Sequence, residues 1–220
     1  MPYTKTFLCL ACSRKPEGRC VAGKEWVNGG FGGWIRPVTP GDDSAITNEQ
    51  RKYANGYSAV ALDYVTAEFT EPEADGFQSE NHFISQPSQW QCAGKAKNAI
   101  LAQLVDSPTT LWSNTCPDSM NGKNDRVSEG KLTTKSDSLY LIKINELTVH
   151  IEEIEDKNPK VRGEFIYNKE TYKFKITDPK FEKQYESHKT GTYNKQIDYL
   201  TVSLGEVFDG YAYKLIAAVF

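Results

Sequence analysis

Nowhere in these 220 residues do about 18 apolar side chains follow one another, so no helix of the chain is expected to cross a bilayer. The opening residues, Met1-Pro2-Tyr3-Thr4-Lys5, lead into only a short apolar run at 7–12. That argues against a secretion signal and for a cytoplasmic protein with no membrane partner. The five cysteines, at 9, 12, 20, 92 and 116, are odd in number and irregularly spaced, which argues against a disulfide framework and fits a reducing compartment. Histidine is scarce, and His82, His150 and His188 are too scattered to complete a metal site. A large net charge is lacking too: the total is −3, so the field of the whole protein would not steer polyanions.

What is present is an uneven charge distribution. Residues 1–36 carry Lys5, Arg14, Lys15, Arg19, Lys24 and Arg36 against Glu17 and Glu25. Residues 37–94 reverse this, with Asp42, Asp43, Glu49, Asp63, Glu68, Glu71, Glu73, Asp75 and Glu80 against Arg51 and Lys52. A local patch in the first segment can still hold phosphates, because charges act over only about 8 Å at physiological salt.

Strand signals, read from β-branched and aromatic enrichment and from alternation, are clearest after residue 138. They fall at 139–151, 162–167, 171–177, 199–204 and 211–219. A helix is predicted over 179–188, with Asp178 as its cap and Pro179 at its first position. Three strands, a helix and two strands is the order of the OB barrel, a five-stranded fold that binds oligonucleotides or sugars on one face. The first half starts in the same way, with strands at 7–12, 20–26 and 34–38 and a helix at 48–53 capped by Thr47. Strands at 60–69 and 81–85 then follow. Residues 90–112 read as helical, on the spacing of Ala96, Ala99, Ile100, Gln103 and Leu104, and 113–138 is polar and turn-rich. The chain is thus expected to be all-β dominated with a few helices. Two OB-like five-stranded barrels, 1–89 and 139–220, flank a partly helical connector at 90–138.

Several segments carry a family resemblance: Cys9-Leu10-Ala11-Cys12-Ser13-Arg14-Lys15 with Gly18-Arg19-Cys20-Val21-Ala22-Gly23, then Gly33-Trp34-Ile35-Arg36-Pro37-Val38 and Leu111-Trp112. Asn124-Asp125-Arg126-Val127, Thr177-Asp178-Pro179, Ser203-Leu204-Gly205-Glu206 and Tyr213-Lys214-Leu215-Ile216-Ala217-Ala218 continue it. Over its whole length the chain resembles the dual OB-containing domain of bacterial proteins. The resemblance implies two OB folds and a nucleic-acid-binding role, and brings no catalytic residue with it.

The residues themselves suggest where binding would occur. Arg14, Lys15, Arg19 and Lys24 gather around Pro16 and Gly18, and Trp34 and Arg36 follow on the third strand. Cations within reach of phosphates and rings on which unpaired bases stack make a single-strand surface. The alternative is a solvated turn with Trp34 in the core. Asn124, Asp125 and Arg126 supply an amide, a carboxylate and a guanidinium that read a ligand or staple the two barrels together. Along 211–217 the row Tyr211, Tyr213, Leu215 is expected to be core, which leaves Lys214 as a ligand contact.

Three enzymatic signals fail on context. Gly18-Arg19-Cys20-Val21-Ala22-Gly23-Lys24-Glu25 has P-loop spacing but ends in Glu25 where a hydroxyl is needed. Gly29-Gly30-Phe31-Gly32-Gly33 after it reads as a flexible hairpin loop, not as the start of a helix. Cys9 and Cys12 lie three apart on a strand, where alternation points them to opposite faces. Asp118 with Glu155-Asp156-Lys157 only loosely resembles a metal-dependent nuclease set. The expectation is a non-catalytic module, without metal or cofactor, that binds single-stranded nucleic acid or a nucleotide. A protein-interaction adaptor and a cryptic metal-dependent phosphoester hydrolase are the rivals.

Overall fold

The computed structural model describes residues 1–41, 44–74, 76–133, 137–154 and 157–220. The chain divides into two compact units, Met1–Leu104 and Val105–Phe220. Residues 90–138, expected as a connector, are divided between them.

In the first unit the strands are β1 (Tyr3–Lys15), β2 (Gly18–Val27), β3 (Gly30–Val38), β4 (Asp63–Pro72), β5 (Asn81–Ile84) and β6 (Gln91–Lys95). They pair in the order β1-β2-β3-β5-β4-β6, and β1 also pairs with β4, which closes the barrel. β3 and β5 run parallel. That is the OB order, and all five expected strands take part in it. β1 serves two neighbours, β4 through Tyr3–Leu8 and β2 from Phe7 onward, and just past their overlap it carries a bulge between Cys9 and Ala11. Gly23 sits at that crossing, where a Cβ would lie 2.0 Å from the Leu8 carbonyl oxygen, so only glycine fits. Phe7, Cys9, Val21, Ile35, Val65, Ala67, Phe69, Ile84 and Trp90 fill the interior.

Two helices predicted here do not form. Thr47 and Gln50 make the reciprocal contacts of a helix cap, Thr47 N to Gln50 Oε1 at 2.8 Å and Gln50 N to Thr47 Oγ1 at 3.2 Å. The chain nevertheless turns back, through a Lys52–Ser58 bridge, and delivers Tyr53 to the core. The long helix at 90–112 is overridden by the barrel. Trp90 is buried against Phe7, with centroids 6.2 Å apart, and Gln91–Lys95 pairs with β4. Only the 3-10 turn Asn98–Gln103 remains of the helix.

The second unit contains β7 (Arg126–Ser128), β8 (Leu139–Lys143), β9 (Leu147–Ile154), β10 (Lys157–Tyr167), β11 (Glu170–Ile176), α1 (Pro179–Glu182), β12 (Gly191–Lys195), β13 (Tyr199–Phe208) and β14 (Tyr211–Val219). Its order is β12-β9-β10-β11-β14-β13-β8, with β7 also on β14. The single strand expected at 139–151 is two. β8 pairs with β13, β9 pairs with β10, and the chain breaks where Ile144 N donates to the Asp198 carbonyl. Together they do the work of β1 in the first unit, and the parallel contact of β11 with β14 completes the OB order. Asp178 caps α1 as expected, accepting from Lys180 N at 2.9 Å, but the α-helix lasts one turn, with a 3-10 turn after it. β7 and the Lys123–Lys173 bridge lie beside β14 and β11, so a segment expected to link the barrels is part of the second one. Among the described residues no helix is long and apolar enough to cross a membrane.

Candidate functional site

On β2, Val21 points into the barrel, so Lys24 and Trp26 point out by alternation. Register carries this side across four strands. Lys24 faces Trp34 on β3 and Leu8 on β1, and Leu8 faces Tyr64 on β4. One step along, Trp26 faces Phe31, and Thr6 faces Thr66 with their hydroxyls 2.8 Å apart. Lys24 Nζ lies 5.5 Å from the centroid of the Trp34 ring and donates to the Leu104 carbonyl at 2.8 Å. Leu104 and the turn before it therefore lie against this side of β2.

Beyond that cover three rings form a corner. Trp26 is 36% exposed and meets Phe31 and Tyr64 edge-on, at 4.7 Å and 63° and at 5.7 Å and 68°. Phe31 and Tyr64 are near-parallel, 21° between planes and 6.5 Å between centroids. Such pairs contribute about 0.5–1.5 kcal/mol each, so the three rings hold one another in place. Trp26 and Phe31 were not among the expected site residues, although the sequence held a signal for them. Asn28 and Gly29 have φ of 53° and 80°, the two-residue hairpin that an Asn-Gly pair encodes, and this turn sets the two rings opposite one another. The glycine run after it is accordingly strand β3, not a flexible loop. Tyr64 carried no local signal, because the β1–β4 pairing places it.

The predicted basic patch comes apart. Arg14 and Arg19 face each other across β1 and β2 on the same side as Val21, opposite to Lys24 and Trp26. Arg14 is exposed, and Lys15 and Arg19 are half-buried. Arg36 is not at the surface. It is 4% exposed, and its Nη2 lies 2.9 Å from Glu80 Oε1.

Asn124, Asp125 and Arg126 staple the second unit. Asn124 Nδ2 donates to the Thr171 carbonyl at 3.0 Å, and Arg126 Nε to the Pro117 carbonyl at 2.8 Å with its guanidinium 4.0 Å from the Tyr211 ring. Asp125 is 2% exposed and accepts from Ser119 N at 2.9 Å and from the Ser119 hydroxyl. Lys214 is also not a surface contact. The inward row of β14 is Ala212, Lys214 and Ile216, the reverse of the row expected. Lys214 Nζ donates to Asn114 Oδ1 at 2.6 Å and to the Ser113 carbonyl at 3.1 Å, over the Tyr172 ring. Burial pushes its pKa down to about 8.

Residues 5–219 match the dual OB-containing domain. The chain belongs to the dual OB-containing domain family. No curated protein matches it. Among solved structures, this family member is similar to a murine DNA binding protein bound with double-stranded DNA. The identity is 8% and the TM-score 0.33, over 100% of this chain and 96% of that one. It is also similar to a structure described as the molecular basis for abrogation of activation of pro-inflammatory cytokines, at 10% identity and TM-score 0.33, over 97% and 87%. Likenesses this distant do not bear on function.

Within this dual OB chain the second barrel presents a different outer face, on β9, β10 and β11. Glu152 lies 3.3 Å from both Arg162 and Lys173, and His150 lies 2.9 Å from Glu164. These named charges satisfy one another. The Cys9–Cys12 pair corrects the alternation argument, because the bulge between Cys9 and Ala11 turns both toward the core side. Each thiol donates to a backbone carbonyl, Cys9 to Ala11 and Cys12 to Ala59. Among the described residues no group of three His, Cys, Asp or Glu could hold a metal ion. Of the nuclease-like set, Glu155, Asp156 and the side chain of Lys157 lie outside the described residues, as do Asp42, Asp43 and Asp75 of the acidic segment.

Proposed function

We propose that the first barrel binds single-stranded nucleic acid, stacking bases in the corner of Trp26, Phe31 and Tyr64 with Trp34 and Lys24 alongside. The observation that carries this reading is the placement of three contacting rings on the outer side of an OB sheet, where β9, β10 and β11 of the second barrel carry the ion pairs of Glu152 and Glu164. All five cysteines are free thiols, which supports a reducing setting such as the cytoplasm.

Stacking on an aromatic side chain is worth about 1–3 kcal/mol per base. Trp26→Ala is therefore expected to weaken binding of labelled single-stranded DNA or RNA by about fivefold to a hundredfold, and Phe31→Ala to do likewise. Fluorescence anisotropy measures this, with an unchanged circular dichroism spectrum confirming the fold. Undiminished affinity in both folded variants would remove the corner from the site. A protein partner is the second reading, favoured by the tip of the β13–β14 hairpin, where Phe208 is 73% and Val207 38% exposed. Binding of oligonucleotides that survives Trp26→Ala but is lost in Phe208→Asp would move the site to that tip.

A further inference from the structure

We infer, on the strength of the stacking reading above, that this site recognises its ligand by the bases with almost no phosphate contact, so that its affinity is nearly independent of salt. The ligand class is then an unpaired, unstacked strand, and duplexes are excluded.

The geometry separates rings from cations. Trp26 and Phe31 lie on the outer side of the sheet in the β2–β3 hairpin, whereas Arg14 and Arg19 lie on the core side in the β1–β2 hairpin, at the other end of β2. Seven residues separate Arg19 from Trp26 along β2, about 23 Å at the rise of a strand. Lys15 is at that far end too, in register with Gly18. Lys5, nearer the corner, is committed to Glu25 at 2.7 Å. Lys95, on β6 one residue past the Gly94 that pairs with Tyr64, is committed to Asp63, so Lys24 is the cation on the rings' own side of β2, and its ammonium is partly spent on the Leu104 carbonyl and the Trp34 face. The outer sides of β1 and β4 add Thr6, Thr66 and Glu68, none of them cationic. Among the described residues of these strands, a base seated in the corner meets rings, hydroxyls and the ammonium of Lys24.

The salt dependence of binding counts the phosphates engaged. For single strands log K falls with log salt at a slope of about −0.7 per phosphate neutralised. Contact through Lys24 alone predicts a drop of about threefold between 50 and 200 mM salt, whereas engagement of Arg14, Lys15, Arg19 and Lys24 together predicts about fiftyfold. The experiment is anisotropy of the full chain with a labelled thymidine dodecamer, long enough to reach all four cations, at both salts. The same dodecamer with abasic sugars carries its phosphates without its bases.

The expected result is a drop of about threefold with salt, binding lost with the abasic strand, and affinity unchanged within about twofold in Arg14→Ala/Arg19→Ala. A drop of about fiftyfold, or abasic binding equal to that of the thymidine strand, overturns the inference while leaving nucleic-acid binding in place. No binding at either salt overturns the proposed function itself.

Discussion

Glu80→Ala is expected to destabilise the first barrel by about 3–5 kcal/mol, the cost of leaving one member of a buried ion pair behind. Arg36 and Glu80 are 4% and 9% exposed, and a second contact joins them, Arg36 N–H to the Glu80 carbonyl at 2.8 Å. Arg36 stands opposite Asn81 where β3 meets β5, the parallel contact that the OB order requires. A guanidinium does not shed its proton at any pH a protein survives, so with the carboxylate gone a charge stays buried. Domains of this size are stable by about 5–15 kcal/mol, so the loss would be a large part of the total. Urea unfolding followed by tryptophan fluorescence measures it. A loss below about 1 kcal/mol would show that the pair is dispensable. The Arg36→Met/Glu80→Leu double variant, which removes both charges, is expected to recover most of the stability, because apolar groups of similar volume often replace a buried pair without cost. A weakened ligand affinity in Arg36→Ala would then report a damaged barrel, not a lost phosphate contact.

The second unit should gain stability as pH rises from 7.5 to 9.5, against the usual alkaline trend. Lys214 has its pKa lowered from 10.5 to about 8 by burial. Between those values the unfolded chain holds a proton that the folded chain has released, so stability rises with pH across that window and levels off above it. Below pH 8 both states are protonated and the folded state bears the cost of a buried charge. The full shift amounts to about 3 kcal/mol, with more than half of it expressed by pH 9.5. Other groups pull the opposite way. Cys9 in the first unit is pushed up by burial, and Tyr140 is pushed up to about 12 by burial and by Asp137, so both favour folding less at high pH. The decisive quantity is accordingly the difference between the native chain and Lys214→Met in urea titrations at the two pH values. The native chain should gain about 1–2 kcal/mol relative to the variant. Parallel pH profiles would mean that the Lys214 ammonium is not desolvated.

Lys214 also shows where reading the chain reaches its limit. Ranked by hydropathy, the Tyr211–Tyr213–Leu215 row outweighs one containing a lysine, yet the lysine row is inside. Its stem is apolar, and its ammonium reaches two oxygen acceptors at Ser113 and Asn114, about a hundred residues away. The cysteine pair failed for a related reason, since one extra residue in the β1 bulge changes which side chains share a face. The helices at 48–53 and 90–112 had sound local signals, a cap in one and helical spacing in the other. Both gave way because Tyr53 and Trp90 stabilise the fold more from within the barrel core than an isolated helix could.

The strands that make the OB order, and with them two OB barrels, were read from the sequence, because alternation and turn residues act between near neighbours in the chain, whereas β6, β7, β12 and the break between β8 and β9 were not. The Asn28-Gly29 turn even set Trp26 against Phe31. Tertiary structure decided the rest: the arrival of Tyr64 beside those rings, the burial of Arg36 against Glu80, the capture of Lys214, and the placing of Arg14 and Arg19 on the face opposite the rings. Each of these depends on the register between strands far apart in sequence, and a shift of one residue in register moves a side chain from one face of a sheet to the other.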